Sequence, residues 1–139
     1  MDPRLIWWPA VVMAALTFAV AVYMFRKRVA QMKRERIHPQ SLATSRSMSE
    51  KLTDSGPADN FRNLFELPVL FYLGLVIAAQ TAQVSVLTLS LAWLFVATRI
   101  AHSYIHCTHN RVRYRFQAFV AGFFVLVAFW ITLAVGLLR

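Results

Sequence analysis

Long runs of apolar residues alternate with short polar stretches along the chain. Leu5–Phe25 holds 21 residues without a charge, residues 67–98 are also uncharged, and Phe116–Leu138 forms a further run. About 20 apolar residues, each rising 1.5 Å, cross the roughly 30 Å hydrocarbon core of a bilayer. The first run is too long for a cleaved signal peptide and a cationic cluster from Arg26 follows it at once, so we expect a retained helix.

The middle run is long enough for two helices joined by a short turn. Its polar cluster at residues 80–83 marks the turn. Pro68 leaves a backbone carbonyl unpaired and can kink the helix that contains it. The pattern therefore predicts four membrane-spanning helices at about 5–37, 61–79, 84–107 and 114–138, with a hydrophilic loop at about 38–60.

Composition supports a membrane protein. Of the 139 residues, 58% are hydrophobic and only 15% are charged, which is too apolar for a soluble domain of this size. We therefore expect an all-α membrane protein, a four-transmembrane-helix bundle forming one domain over residues 1–139. The single cysteine, Cys107, excludes an intrachain disulfide.

The distribution of Lys and Arg predicts the orientation of the helices. Nine of these residues lie from Arg26 to Arg62, four lie from Arg99 to Arg115, and the turn near Thr81 has none. Because Lys and Arg accumulate in cytoplasmic loops, we expect the first and third connections in the cytoplasm and both termini outside. The net charge of +9 then reflects topology or anionic lipid, not nucleic acid. We expect the inner membrane of a bacterium.

Charged side chains stand at the cytoplasmic end of the second predicted helix. Asn63 stands three residues and Arg62 four residues before Glu66, so the three lie near one face of a helix. A carboxylate costs about 2–3 kcal/mol at the middle of the membrane and less near its surface, so it must face helices, a counter-charge or water. Taken alone, the stretch fits either an Arg62–Glu66 ion pair, with Asn63 bonded to a neighbouring helix, or a ligand site.

The third and fourth predicted helices bring further polar residues to the same depth. One stripe of the third helix, at i, i+3, i+4 and i+7, consists of Arg99, His102, Ser103 and His106. Three arginines lead into the fourth helix: Arg111, Arg113 and Arg115. All the unusual polarity is therefore expected near the cytoplasmic ends of the helices.

The histidines do not predict a metal site. His102 and His106 are four residues apart, which suits two metal ligands. The surroundings are cationic, however, and oppose a bound cation, so we expect no metal. A catalytic Ser-His-Asp triad is also disfavoured, because no acid stands near a Ser-His pair in the sequence.

The surplus of arginines suits an anionic ligand. Arginines pair with carboxylates in forked geometry, Glu66 can pair with an ammonium group, and Asn63 can bond an amide. Glutathione carries two carboxylates, one ammonium, two amides and a thiol, so it matches each group. An arginine beside the thiol would favour thiolate, and lowering a thiol pKa by about two needs about 2.7 kcal/mol. A lipophilic co-substrate would arrive through the bilayer.

These features resemble the MAPEG family, the membrane-associated proteins of eicosanoid and glutathione metabolism. The resemblance rests on four helices, a long basic first loop, Arg62-Asn63-x-x-Glu66-x-Pro68 and Arg99-x-x-His102. It implies a homotrimer that binds glutathione between neighbouring protomers near the cytoplasmic face. The residues that it implies hold glutathione are Arg26, Arg62, Asn63, Glu66, Arg99 and His102, with His106 one turn further on.

The resemblance also implies a thiolate-stabilising arginine at the start of the fourth helix. One spacing within the family selects Arg115, which we prefer, and a shorter spacing selects Arg113. The chain departs from the family at His106, where the enzymes often carry a tyrosine, and at Phe116 and Phe119, where a serine and a tyrosine are usual.

Three functions are compatible with the sequence. The first is a glutathione-dependent transferase or peroxidase acting on lipophilic electrophiles or hydroperoxides. The second is a non-catalytic protein that binds a lipid or assists a partner, since the fold alone does not fix the activity. The third is a structural protein in which polar residues only join helices, and four or more charged groups are excessive for that purpose.

Overall fold

The computed structural model describes residues 2–138, which form six α-helices and contain no β-strand. The helices are α1 Trp7–Arg34, α2 Ser45–Lys51, α3 Gly56–Asn63, α4 Leu67–Gln80, α5 Val86–Cys107 and α6 Val112–Leu137. Four segments are long and apolar enough to cross a membrane: α1 with the short 3₁₀ turn before it, α3 together with α4, α5, and α6. The predicted all-α architecture of four membrane helices is confirmed.

The second span differs from the single helix predicted at 61–79. It begins earlier, at Gly56, and is interrupted between Asn63 and Leu67. At the break, short-range bonds replace the helical pattern: Phe65 N–H donates to the Arg62 carbonyl at 2.8 Å. Pro68 stands in the first turn of α4, where backbone N–H groups have no partner within the helix, so its missing N–H costs no hydrogen bond. The expected kink is therefore a full restart of the helix.

The loop predicted at 38–60 is partly helical and is fastened to α1. It contains α2 and the first residues of α3. Gln31, on the last turns of α1, donates from Nε2 to Thr53 Oγ1 at 3.1 Å and to the Lys51 carbonyl at 3.3 Å. Lys27 forms an ion pair with Asp54, with 3.2 Å between Nζ and Oδ2. These contacts hold the end of the loop close to the start of α3.

The interior is built around three aromatic rings from different helices. Phe71 of α4 lies 4.5 Å from Phe95 of α5 and 6.0 Å from Phe129 of α6, measured between ring centroids. All three side chains are fully buried. Gly74 permits this packing, because a Cβ there would come 2.5 Å from Phe129 Cε1. Many other apolar side chains are exposed, as expected of helices that face lipid.

The packing of α5 against α6 positions the site. This is the most extensive helix pair among the described residues. α5 begins with a capping box in which Ser85 Oγ accepts from Thr88 N–H at 3.1 Å. It ends at Cys107, and the backbone reverses at Asn110, whose φ of 44° is left-handed. The reversal places the start of α6 beside the last turns of α5.

Candidate functional site

A cavity of about 310 Å³ opens where α3, α5 and α6 meet. Four of the residues predicted for the site line it: Asn63, His102, His106 and Arg115. Its other lining residues are Asp59, Val112, Phe116 and Phe119. The fold therefore brings polar groups from three helices to one concave surface, as the sequence predicts for that subset.

Arg115 is held by two neutral partners. Its Nη1 donates to Asn110 Oδ1 at 2.6 Å and lies 3.1 Å from His106 Nε2. Because a guanidinium only donates hydrogen bonds, His106 Nε2 accepts, which places the proton of the neutral ring on Nδ1. These partners fix the guanidinium without cancelling its charge.

The two imidazoles offer complementary atoms to a ligand. His102 Nδ1 lies 3.2 Å from the Arg115 carbonyl oxygen, so Nδ1 donates and Nε2 of the neutral ring accepts. Both residues are buried, at 3% exposure, and their ring centroids lie 5.4 Å apart in a T-shaped arrangement. Within residues 2–138, His102 Nε2 and His106 Nδ1 have no hydrogen-bond partner. Buried polar atoms are normally paired, so these two are available to a bound molecule.

Arg99 lies behind the cavity and joins α5 to α6. Its side chain is 1% exposed, and Nη2 donates to the Phe119 carbonyl at 3.2 Å. The guanidinium carbon lies 5.4 Å from the Phe95 ring centroid and 5.2 Å from the Phe119 centroid, a double cation–π contact. Gly122 makes room, because a Cβ there would come 2.5 Å from Arg99 Nη2. Arg99 contacts the cavity wall at Phe119 but does not itself line the cavity.

The remaining predicted site residues lie elsewhere in a single protomer. Glu66 is exposed at the break between α3 and α4. Arg62 is exposed, forms a 3.7 Å ion pair with Asp59 and lines a separate recess. The Arg62–Glu66 pair considered from the sequence is not among the ion pairs of the described residues. Arg26 lies on an open groove along α1, and Arg113 is exposed outside the cavity lining.

Sequence reasoning missed three polar residues that the fold places at or beside the cavity: Asp59, Asn60 and Asn110. Asn60 is 0% exposed, accepts from Ser103 Oγ at 3.3 Å and lies 3.4 Å from Cys107 Sγ through Nδ2. The predicted loop at 38–60 includes Asp59 and Asn60, because the predicted second helix begins at residue 61. Their i,i+3 and i,i+4 spacing to Asn63 is the signal that would have included them.

Residues 2–138 contain no group of three or more His, Cys, Asp or Glu side chains placed to hold a metal ion. The cavity instead presents a guanidinium, two neutral imidazoles, an amide and a carboxylate. Such a set suits an organic ligand with both donors and acceptors.

The fold and this polar cavity define an integral membrane protein built on four spanning helices. The family model of the MAPEG family matches residues 6–135, nearly the whole chain. No curated protein and no solved structure gives a significant match. The chain therefore belongs to the MAPEG family, as its helix-end motifs predict.

Proposed function

We propose that this protein is a glutathione-dependent transferase or peroxidase that acts on lipophilic electrophiles or hydroperoxides. The observation that carries the proposal is the cavity where Arg115 meets two imidazole nitrogens that have no hydrogen-bond partner within residues 2–138. Membership of the MAPEG family supports a glutathione-related membrane function. The second substrate would enter from the bilayer, beside the exposed ring of Phe116.

The residues of the cavity fit the polar groups of glutathione. Arg115 donates to a thiolate or carboxylate, His106 Nδ1 donates to a carbonyl, and His102 Nε2 accepts from an amide N–H. Asn63 can do both. The volume of about 310 Å³ is at the lower end of the roughly 300–1,000 Å³ of small-molecule pockets, so a tripeptide would fill it and extend beyond its mouth.

Arg115 supplies the chemistry. A positive charge beside a thiol stabilises the thiolate, which is the nucleophilic form. Stabilisation of about 2.7 kcal/mol lowers the thiol pKa by about two, enough to make thiolate abundant near neutral pH. The sulfur then bonds to the electrophilic carbon of the second substrate, and the leaving group departs with the electron pair.

The proposal includes a homotrimer in which neighbouring protomers complete the site. Arg26, Arg62 and Glu66 are exposed in one protomer yet stand on segments that border the membrane. Exposed charges at that depth are costly in lipid, so contact with another protomer and a charged ligand would stabilise them. We place this end of the bundle in the cytoplasm, where glutathione is available.

A non-catalytic lipid-binding protein is the alternative. Two observations favour this alternative. His106 and Asn110 already occupy one edge of the Arg115 guanidinium. In addition, Phe116 and Phe119 stand where serine and tyrosine are usual in the enzymes. A protein that only binds lipid has no evident need for a carboxylate, an amide and two open imidazole nitrogens in one cavity. The enzyme therefore remains the preferred function.

Calorimetric titration of glutathione into the detergent-purified protein tests the proposal. We expect binding by the wild type and its loss in Glu66→Ala and Arg99→Ala, with Glu50→Ala on the exposed face of α2 as the control. Size-exclusion chromatography confirms that each variant keeps the assembly of the wild type. An intact assembly that gives no heat with glutathione would falsify the proposal.

A second experiment separates an enzyme from a binding protein. Arg115→Ala should remove the ultraviolet absorbance of bound thiolate and leave most of the binding. A wild type without thiolate absorbance, and without conjugation of an aromatic electrophile, supports the alternative function.

A further inference from the structure

Two arginines in the connection between α5 and α6 lie outside the cavity and lack a counter-charge. Arg111 and Arg113 are exposed, and neither is among the residues that line the cavity. Neither takes part in an ion pair within residues 2–138. No Asp or Glu occurs from residue 67 to residue 139, so the last two spans and their connection offer these charges no acid.

A neighbouring protomer does not supply the missing counter-charges. Every copy of the chain brings 15 Lys and Arg but only six Asp and Glu. Within residues 2–138, five of the six acids already form ion pairs with cations of their own chain. The sixth, Glu66, is proposed above to contact a neighbouring protomer and the ligand. The anions that balance Arg111 and Arg113 must therefore come from outside the protein.

The depth of these arginines matches the headgroup layer of a membrane. The uncharged run Phe116–Leu138 is about 34 Å long at 1.5 Å per residue, enough to fill the roughly 30 Å hydrocarbon core. Arg113 precedes this run by about 4.5 Å and Arg111 by about 7.5 Å along the chain. Headgroups extend about 5–7 Å beyond the hydrocarbon on each side, so both side chains reach the layer of the lipid phosphates.

Exposed aromatic side chains flank the two arginines. Tyr104, on the last turns of α5, is 66% exposed, and Tyr114, on the first turn of α6, is 49% exposed. Tyrosine concentrates at the interface between membrane and water, where its ring contacts lipid and its hydroxyl contacts water. Exposed rings beside cations therefore indicate a surface that contacts lipid, rather than one that binds a soluble anion.

We propose that Arg111 and Arg113 bind the phosphate groups of anionic phospholipids at the cytoplasmic surface of the membrane. A guanidinium binds phosphate through paired N–H donors, which gives the contact both strength and direction. Two arginines near an anionic membrane surface are expected to give a preference of about tenfold for a lipid with a net negative charge. This surface is separate from the ligand cavity, and the inference does not depend on the binding of glutathione.

Native mass spectrometry of the detergent-purified, full-length protein tests the inference with phosphatidylglycerol and phosphatidylcholine of the same acyl chains. Wild type is expected to bind phosphatidylglycerol about tenfold more strongly, because only that lipid has a net negative charge. Arg111→Gln/Arg113→Gln should remove the preference and leave the binding of phosphatidylcholine unchanged. The control Arg34→Gln/Arg46→Gln removes two cations that are ion-paired with acids of the same chain, so it should keep the preference.

Three results would overturn the inference. The first is a wild type without a preference, or a preference that Arg111→Gln/Arg113→Gln retains. The second is an equal loss in both double variants, because net charge and not this surface would then select the lipid. The third is displacement of phosphatidylglycerol by soluble glycerol 3-phosphate, which would show that the arginines bind free phosphate. Loss of glutathione binding alone would contradict the proposed function and leave this inference standing.

Discussion

Arg115 donates a 2.6 Å hydrogen bond from Nη1 to Oδ1 of Asn110. The acceptor lies on a residue with a φ of 44°, a left-handed conformation that asparagine tolerates better than most residues. The backbone reversal after α5 therefore also positions an amide oxygen against the first turn of α6. The contact is neutral, so it orients the guanidinium and leaves its positive charge to act on a ligand.

The first prediction concerns this contact. Asn110→Gly keeps the left-handed backbone but removes the amide, so Arg115 becomes mobile. A hydrogen bond to a charged group is worth about 1.5–3 kcal/mol, and we expect the conjugation rate to fall about tenfold. Steady-state kinetics with an aromatic electrophile provide the measurement. His109→Gly, in the same connection but outside the cavity lining, is the control, and equal effects of the two would contradict the prediction.

Gly122 gives a second prediction, about stability. A Cβ there would come 2.5 Å from Arg99 Nη2 and 2.7 Å from Thr98 Oγ1, so Gly122→Ala must separate α5 from α6 or displace Arg99. We expect the free energy of unfolding to fall by about 1–3 kcal/mol, which a lower thermal unfolding midpoint in detergent would show. Ala121→Leu, at the exposed neighbouring position, should have little effect. Combining Gly122→Ala with Arg99→Ala should reduce the added loss, and full additivity would argue against direct contact.

The third prediction tests the buried amide between α3 and α5. Asn60→Ala leaves the Ser103 hydroxyl without its acceptor and should lower the free energy of unfolding by about 1–3 kcal/mol. The double variant Asn60→Ala/Ser103→Ala should lose less than the two single losses together, because no buried hydroxyl is then left unpaired. Thermal unfolding of all four proteins measures the coupling. Strict additivity would show that the 3.3 Å contact is not formed.

The sequence predicted the helices well because membrane spans carry a strong signal. Long charge-free runs separated by polar connections identified all four spans. The grouping of His102, His106 and Arg115 followed from helical spacing and from antiparallel neighbours. Such inferences use one helix and its connection to the next, and they need no detailed packing.

Other features of the fold and of the site depend on contacts between distant elements, which the hydrophobic pattern of the sequence does not predict. Pro68 indicated a kink, but whether a helix bends or restarts depends on which carbonyls find partners, as Phe65 N–H does with Arg62. The sequence places Arg99 among the ligand-binding residues. In the fold its guanidinium instead packs between the rings of Phe95 and Phe119, behind the cavity wall, where Gly122 leaves room for it. Asp59 lies in the loop predicted at 38–60, whereas α3 begins at Gly56 and includes it.

The fourth prediction tests the orientation of the helices. In a Cys107→Ala background, Thr81→Cys should react with a membrane-impermeant maleimide on intact cells, since the turn between α4 and α5 is expected outside. Gln40→Cys, in the loop between α1 and α3, should react only after the membrane is opened. The reverse labelling pattern would place the cavity on the outer side and remove the cytoplasmic supply of glutathione.

The most direct test of the account is an experimental structure of the assembled protein determined with saturating glutathione. We expect the tripeptide to lie between α3, α5 and α6, with its sulfur beside Arg115 and polar contacts from His102 and His106. Glutathione bound at a different surface, or a cavity left without ligand at saturation, would contradict the claim that these side chains gather to hold a charged, soluble molecule.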